Sequence, residues 1–354
     1  MNEVLSQFQF KGVAATCVRF GCGHINETYL VTCDSGLSYI LQKISQAAFK
    51  KPAELMENIS AVTEFLAQQS EDPRSSMRLV PALDGKSYYV DAKGEYWRAY
   101  DFVTSTVCLQ KAENTRDFYN SGVAFGRFQR QLKDFPAKTL HESIVDFHNT
   151  RARYAQFRAA LEKNFENRAA LCQAEIDFVL SHEFEAGAIV DLLASGELPT
   201  RVTHNDTKLN NVLMDYDTRE PVCVIDLDTV MPGSSLYDYG DSIRFGASTA
   251  PEDEKDLDKV WCDMELFRTY TEGFLAGCNN SLTDKEVEML PMGAKMMTLE
   301  CGVRFLTDFL NGDVYFRTSY AGQNLDRCRT QFKLVSDMEA KWETMHAIVK
   351  EAVK

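Results

Sequence analysis

Three oxygen-bearing side chains stand out by type and spacing. Asp206 lies in the polar run His204-Asn205-Asp206-Thr207-Lys208-Leu209-Asn210-Asn211, and Asn211 closes that run. Asp226 follows within Val224-Ile225-Asp226-Leu227-Asp228. Phosphoryl transfer asks a protein for few parts: a carboxylate to take the proton of an attacking hydroxyl, and hard oxygen ligands for magnesium. Asp206 suits the first role, Asn211 and Asp226 the second. His204 either braces the loop through hydrogen bonds or moves a proton; a brace is the commoner use of such a residue. Taken singly, each match is an ordinary polar turn or strand end. The joint pattern, H-x-D-x-x-x-x-N followed by two apolar strands and a D-x-D, is not.

Positioning these groups requires a rigid frame. Arg201-Val202-Thr203 reads as a short strand leading into the loop, residues 211–215 as a second and 221–227 as a third. Pairing the last two as a hairpin brings Asn211 and Asp226 to one edge. Upstream, residues 11–20, 28–32, 37–44, 87–90 and 96–103 read as strands, with one helix opened by Pro52 and faced by Leu55, Ile59, Val62 and Leu66. After Val103 helical patterns dominate, at 114–132, 151–164, 169–194, 252–277, 283–311 and 323–352. The expected fold class is α+β in two lobes. Residues 1–103 form a small antiparallel β lobe with one helix, and 104–354 a larger, mainly helical lobe.

Gly21-Cys22-Gly23-His24-Ile25-Asn26-Glu27-Thr28 joins the first two strands. Glycines there let backbone N–H groups approach phosphate oxygens, although G-x-G is also an ordinary hairpin. Gly21, Gly23, Asn26 and Thr28 are the candidate nucleotide contacts. In the third strand alternation places Leu41 and Lys43 on one face and Gln42 on the other. Lys43 either reaches the nucleotide or is an exposed strand lysine, with Glu57 as a candidate partner.

The formal net charge of −14 argues against nucleic acid and against anionic lipid as partners, while it suits a cationic substrate. The ten cysteines show no C-x-x-C pair and no zinc spacing, and read as reduced thiols. No signal-like start or apolar span is visible, so the expected location is the cytoplasm. Oligomeric state is not readable.

The chain resembles the aminoglycoside phosphotransferase and choline kinase-like superfamily, which has the protein-kinase fold, and within it the N-acetylhexosamine 1-kinase family. The resemblance runs from about Gly21 to the C-terminal helix. It is most specific in RVTHNDTKLNN (201–211), VIDLDTVMPGSSLYDYGDSIRFGAST (224–249) and ECGVRFLTDFLNGDVYF (300–316). It implies ATP and Mg2+ as cofactors and N-acetylglucosamine or N-acetylgalactosamine as the substrate, phosphorylated at the anomeric hydroxyl to the α-1-phosphate. By the same resemblance Asp206 is the base, Asn211 and Asp226 hold magnesium, and His24, Arg304 and Tyr315 meet the sugar. The adenine would lie beside the hinge at Phe102-Val103. One departure stands out. Many members carry Lys or Arg on the third strand where Gln42 aligns, so phosphate contacts would come from Lys43, from Lys208 or from loop amides.

Read without the resemblance, Arg304 is either in a buried ion pair, with Asp241 or Asp308, or presents donors into a pocket. Arg244 has the same two readings. Asp238 and Asp241 read as acids fixing the loop after the D-x-D strand, and Tyr315 and Phe316 as core filling or a stacking surface. Three rival functions remain: a same-fold kinase for choline, homoserine, methylthioribose or an aminoglycoside; a silent nucleotide-binding module; and a helical scaffold.

Overall fold

The computed structural model describes residues 1–21, 23 and 25–353. The chain is α+β and divides into two compact units. The first comprises Met1–Cys108, Asp134–Val145 and Val212–Pro232, and the second Leu109–Lys133, Asp146–Asn211 and Gly233–Lys354. The first unit thus extends past residue 103 and takes in two later segments.

In the first unit, α1 (Asn2–Leu5) precedes β1 (Ala14–Arg19), β2 (Glu27–Cys33) and β3 (Ser38–Lys43). Then come α2 (Pro52–Ala67), β4 (Leu79–Val80), β5 (Tyr89–Val90), β6 (Tyr96–Asp101) and β7 (Thr106–Cys108). The sheet order is β1-β2-β3-β6-β4, with β5 also on β6, and its pairs are antiparallel. Register assigns its faces. The set Tyr29, Leu41 and Ala99 lies in one cross-strand row, and Thr28, Gln42 and Arg98 lie in the next. The first face packs a core of Val4, Phe8, Val31, Tyr39, Leu41, Trp97 and Ala99. Pro52 begins α2, and Leu55, Ile59, Val62 and Leu66 are buried as their spacing requires. A second sheet, β10-β9-β7, pairs β9 (Val212–Asp215) with β10 (Pro221–Val224) and with β7. That pairing is why the hairpin belongs with the N-terminal strands, an association that contiguous division at 103 misses.

The second unit holds α3 (Thr115–Gln131), α4 (Thr150–Lys163), α5 (Gln173–Ser181), α6 (Val190–Ser195) and β8 (Arg201–Thr203). After β11 (Met231–Gly233) follow α7 (Ser235–Gly246), α8 (Met264–Cys278), α9 (Asp284–Glu288), α10 (Leu290–Asn311), α11 (Gln323–Ala340) and α12 (Trp342–Ala352). The central α10 packs against α4, α7 and α11. Helices α3 and α8 meet through Gly122 and Gly126 on one and Gly273 and Gly277 on the other. A Cβ on Gly126 would collide with the Phe274 carbonyl oxygen, and one on Gly277 with that of Val123.

Four long helical expectations break; 283–311 splits at Met289 into α9 and α10, and 323–352 at Lys341 into α11 and α12. The 169–194 stretch is the end of a 3-10 segment (Phe165–Leu171) and two short helices, α5 and α6, with a second 3-10 turn, Glu183–Glu185, between them. The 252–277 stretch becomes helical only from Met264, because Asp263 caps it there by accepting from the N–H groups of Glu265 and Leu266. Before that point Asp256 bonds the Asp258 N–H, a local contact that competes with a helix. The nine described cysteines are all free, and no described helix is long and apolar enough to cross a membrane.

Candidate active site

The loop after β8 is held almost entirely by α7. The Asp238 carboxylate accepts the N–H of His204 at 3.0 Å and that of Asn205 at 2.8 Å, and also the Gln129 amide at 2.7 Å. Asp241 accepts the N–H of Thr207 at 3.2 Å, and Thr207 donates its hydroxyl to the Asp238 carbonyl at 2.6 Å. Ser242 and Tyr270 extend the network, Tyr270 to Ser242 at 2.7 Å and Ser242 to the Thr207 carbonyl at 2.6 Å. Asp238 and Asp241 therefore sit on a helix and fix the loop before the hairpin, not the one after the D-x-D strand. Asn205 takes a left-handed conformation at φ 64°, an unusual state for a non-glycine residue and a frequent mark of functional loops.

His204 is a brace. Its ring is fully buried, edge-on to Phe125 and Phe128 of α3, and its Nδ1 accepts the Asp206 N–H at 3.3 Å. His204, Asn205 and Thr207 around Asp206 are buried, whereas the Asp206 and Lys208 side chains keep 30% and 37% exposure. The Asp206 carboxylate meets Lys208 Nζ at 2.8 Å and accepts Asn211 Nδ2 at 3.1 Å. Asn211 Nδ2 also donates to the Asp206 carbonyl at 2.8 Å. With its nitrogen so committed, Oδ1 is the Asn211 atom that could ligate a cation. Burial works against the Lys208 ammonium, but Asp206 and Asp241 outweigh it and lift its pKa.

In the hairpin, Val212 and Val224 are register partners. Asp226 follows in a left-handed conformation, φ 62° and ψ 58°, at the head of a 3-10 turn. Asp228 is buried and pairs with Arg98 at 2.5 Å, and its other oxygen accepts Asn26 Nδ2 at 2.5 Å. Asn58 of α2 fixes the chain just beyond, donating to the Val230 carbonyl at 3.1 Å. The donor types at Asp226 and Asn211, a carboxylate and an amide oxygen, suit a hard divalent cation. Among the described residues, another group of metal-capable side chains is His182, Glu185 and Glu339. Lys295 Nζ stands 2.7 Å from Glu185 and 2.8 Å from Glu339, so a cation is already supplied there.

The remaining candidates divide. Gly21 has φ +77°, and nothing lies within 4 Å of a Cβ at Gly21 or Gly23, so the loop is open on that side. Asn26 spends its amide on Asp228 and on the Ser45 N–H, and Thr28 accepts Gln42 Nε2 at 3.0 Å. Lys43 sits on the core side of the sheet with Tyr39 and Leu41, paired with Glu27 at 2.9 Å and Glu95 at 3.6 Å. Glu57 is not its partner; it meets His141 at 2.7 Å. Phe102 follows β6, bonds the Ser38 carbonyl through its N–H and lies edge-on to Phe20 at 6.0 Å. The Val103 carbonyl accepts the Thr106 hydroxyl at 3.0 Å. Cys22 and His24 lie outside the described residues.

Arg304 is in neither proposed ion pair. Its guanidinium lies over Phe147 at 5.2 Å and Phe316 at 5.5 Å. Asp241 is taken by Arg244 at 2.9 Å, which settles Arg244 as a buried ion pair. Asp308 accepts the N–H groups of Val314, Tyr315 and Phe316 at 2.8 to 2.9 Å. That clamp fixes the turn after α10 and presents Tyr315 with 67% of its surface exposed. Sequence reasoning missed Asp308 as a clamp and Arg98 altogether; the signal for Arg98 was a lone charge inside an aromatic strand, Tyr96-Trp97-Arg98-Ala99-Tyr100. A groove of about 310 Å³ beside Ser60, Thr63, Met77 and Arg78 holds none of the candidate residues.

A family model described as a phosphotransferase enzyme family, APH, matches residues 16–270. Among solved structures, the chain is similar to a microcompartment-associated aminopropanol kinase at 16% identity and a TM-score of 0.60, covering 98% of this chain and 97% of that one. An amicoumacin kinase in complex with AMP-PNP, Ca2+ and Ami matches at 14% and 0.59, covering 96% and 91%. A Plasmodium vivax ethanolamine kinase matches at 12% and 0.55, covering 89% and 82%.

Proposed function

This chain belongs to the APH phosphotransferase enzyme family, and from that premise we propose that it moves the γ-phosphoryl group of ATP to the anomeric hydroxyl of N-acetylglucosamine or N-acetylgalactosamine. The observation that carries the phosphotransfer reading is the Asp206 carboxylate, which keeps 30% exposure on a helix-braced loop between buried Asn205 and Thr207. In this reading the sugar C1 oxygen attacks the γ-phosphorus, the bond to the β,γ-bridging oxygen breaks, and ADP leaves. Asp206 takes the hydroxyl proton. Lys208 and Asn211 hold its carboxylate in one orientation, so little of the barrier is spent on positioning. Asn211 and Asp226 would hold Mg2+, which supplies charge neutralisation at the phosphates.

The sugar assignment rests on the resemblance in 201–211, 224–249 and 300–316. It is supported by an Arg304 whose guanidinium lies against aromatic rings, near exposed Tyr315. A guanidinium with donors to spare suits amide and hydroxyl oxygens. A second reading, an amino-alcohol acceptor, is favoured by the net charge of −14 and by the aminopropanol and ethanolamine kinases among the similar structures. Arg304 at the candidate acceptor site disfavours it, because a cationic acceptor would be repelled. A silent nucleotide-binding module is disfavoured because Asp206, Asn211 and Asp226 are all present.

The test is ATP consumption across a panel of sugars, amino alcohols and aminoglycosides, with loss of the sugar's reducing end read in parallel. N-acetylhexosamines should be consumed with loss of reducing-end reactivity; turnover of ethanolamine or an antibiotic in their place overturns the sugar reading. Asp206→Asn should cost at least about a hundredfold in turnover, the scale of general-base loss, while nucleotide and sugar still bind. Normal turnover by that variant removes Asp206 from the role. Asp226→Ala should abolish Mg-ATP binding, and calorimetry showing unchanged affinity contradicts it.

A further inference from the structure

We propose that Asp308 is a positioning residue of the acceptor site: it holds Val314, Tyr315 and Phe316 beside Arg304 and thereby sets how tightly the acceptor binds. The proposal rests on the sugar reading above, which puts Arg304 and Tyr315 at the acceptor.

Arg304 and Asp308 lie four residues apart on α10, so their side chains share one face of the helix. The helix itself ends without help from the Asp308 side chain. Gly312, at φ 98°, donates its N–H to the Phe309 carbonyl at 3.1 Å, and Asp313 donates to the Asp308 carbonyl at 2.9 Å. Last-turn carbonyls are commonly satisfied by such a left-handed residue. The Asp308 carboxylate is left for the residues that follow. Asp313 is also left-handed, at φ 60°, and three consecutive N–H groups then face one carboxylate, an arrangement that suits an anion. One Asp308 oxygen accepts Val314 at 2.9 Å and Tyr315 at 2.8 Å, and the other accepts Phe316 at 2.9 Å and the Asn324 amide at 2.9 Å.

Apolar burial does not account for this clamp. Asp308 is 4% exposed, whereas Val314 and Tyr315 keep 78% and 67% exposure, so these two side chains gain little from leaving water. A carboxylate taken out of water is costly unless hydrogen bonds compensate it. Here the compensation comes from the backbone of an exposed aromatic residue and its two neighbours, and it fixes that backbone. Asn324, fully buried, doubles the hold: its amide also donates to Asp313 at 2.9 Å, and its oxygen accepts Arg327 at 3.1 Å.

What the clamp places is the surround of Arg304. Phe316 lies over the guanidinium at 5.5 Å and against Phe305 at 4.7 Å, and Tyr315 stands edge-on to Phe316 at 4.8 Å. The other ring on Arg304, Phe147 at 5.2 Å, belongs to a residue whose carbonyl accepts Arg153 at 2.7 Å. Glu300, the acid in the field of Arg304, is committed to His148 at 2.8 Å and Thr150 at 2.7 Å. Rings therefore orient Arg304, and its fork of donors suits a ligand's oxygens. A sugar offers both matching surfaces, hydroxyl and amide oxygens for the guanidinium and an apolar ring face for Tyr315. Because Tyr315 and Phe316 are set before the acceptor arrives, no cost of ordering them is taken from its affinity.

The experiment is steady-state kinetics of the full chain, with N-acetylglucosamine and ATP varied in turn. Asp308→Asn exchanges one of the two oxygens for a donor and strands an N–H group of the clamp. The KM for the sugar should rise at least about tenfold, the scale of one lost hydrogen bond. The KM for ATP and kcat at saturating sugar should change by less than about twofold, the mark of an effect on acceptor binding alone. An unchanged sugar KM, whatever the melting temperature does, overturns the proposal and makes Asp308 a support of the fold only; an equal rise in both KM values does the same. Should Asp308→Asn not fold, a crystal structure of the wild-type chain with N-acetylglucosamine decides. A sugar atom within about 4.5 Å of Tyr315 or Phe316, with the three N–H groups still on Asp308, is expected. A sugar bound elsewhere, or a released clamp, overturns the proposal. Failure of the wild-type chain to phosphorylate any N-acetylhexosamine would defeat the sugar reading first, and this proposal with it.

Discussion

The loop that carries Asp206 and the turn that carries Asp226 solve one problem by two routes. Both hold a left-handed residue at the candidate chemistry, Asn205 at φ 64° and Asp226 at φ 62°, and such backbone persists only when its surroundings over-determine it. Around Asp206 the bracing acts on the main chain: carboxylates of α7 accept the N–H groups of His204, Asn205 and Thr207. Around Asp226 the bracing acts on side chains, in a row from Thr28 through Gln42 and Arg98 to Asp228 and Asn26. Main-chain clamps leave the loop's own residues free to vary and place the burden on Asp238 and Asp241. A side-chain row spreads the burden over three strands, and each member depends on its neighbour.

The contrast breaks most visibly at Arg98. Arg98→Met leaves Asp228 buried without its cation, and the penalty for stranding such a charge is about 3–5 kcal/mol. Chemical denaturation should show that loss, and Arg98→Met combined with Asp228→Leu should recover most of it. A single variant as stable as wild type would mean that water reaches Asp228. At the other site, Asp238→Asn exchanges an acceptor of two backbone N–H groups and the Gln129 amide for a group with one acceptor and two donors. The expected cost is about 1–3 kcal/mol, with turnover falling more than thermal stability because the Asp206 loop loosens. Stability falling with kcat unchanged would show that Asp238 supports the fold and not the loop.

Much of this was legible in the residues. Pro52 and the apolar spacing of α2, the strands β1 to β3 and the polar run around Asp206 follow from period, turn residues and motif. The boundary of the first unit was not, because β7 is three residues long and its pairing with β9 is non-local. Helix α7 was hidden for a different reason. Its apolar row, Leu236, Tyr239 and Ile243, is short, and Asp238, Asp241, Ser242 and Arg244 are buried beside it, so no exposed polar face sets off a helical period. Lys43 and Glu57 show the limit of alternation: it orders residues on a strand but does not say which face meets the core. Arg304 was read through charge alone, whereas aromatic rings lie against its guanidinium and the acid in its field is Glu300, one turn back on α10.

The smallest and sharpest test lies within α7 itself, where Asp238 and Asp241 do the same work under opposite electrostatics. Burial raises the Asp238 pKa, and the backbone N–H groups and Gln129 amide that its carboxylate accepts do not offset it. Burial also acts on Asp241, but Arg244 and Lys208 outweigh it and depress the pKa. A depressed folded pKa contributes stability that is present above the ordinary Asp value of about 3.9 and is lost as pH falls through the folded value. A raised folded pKa does the reverse: its contribution is complete below about 3.9 and fades as pH rises through the folded value. Removing Asp241 should therefore flatten the acid side of the stability profile, and removing Asp238 should steepen it. Melting temperatures of wild type, Asp241→Asn and Asp238→Asn between about pH 3 and pH 6 read both signs at once. Three parallel curves would show that neither carboxylate changes protonation on unfolding, and that the difference between them is one of geometry alone.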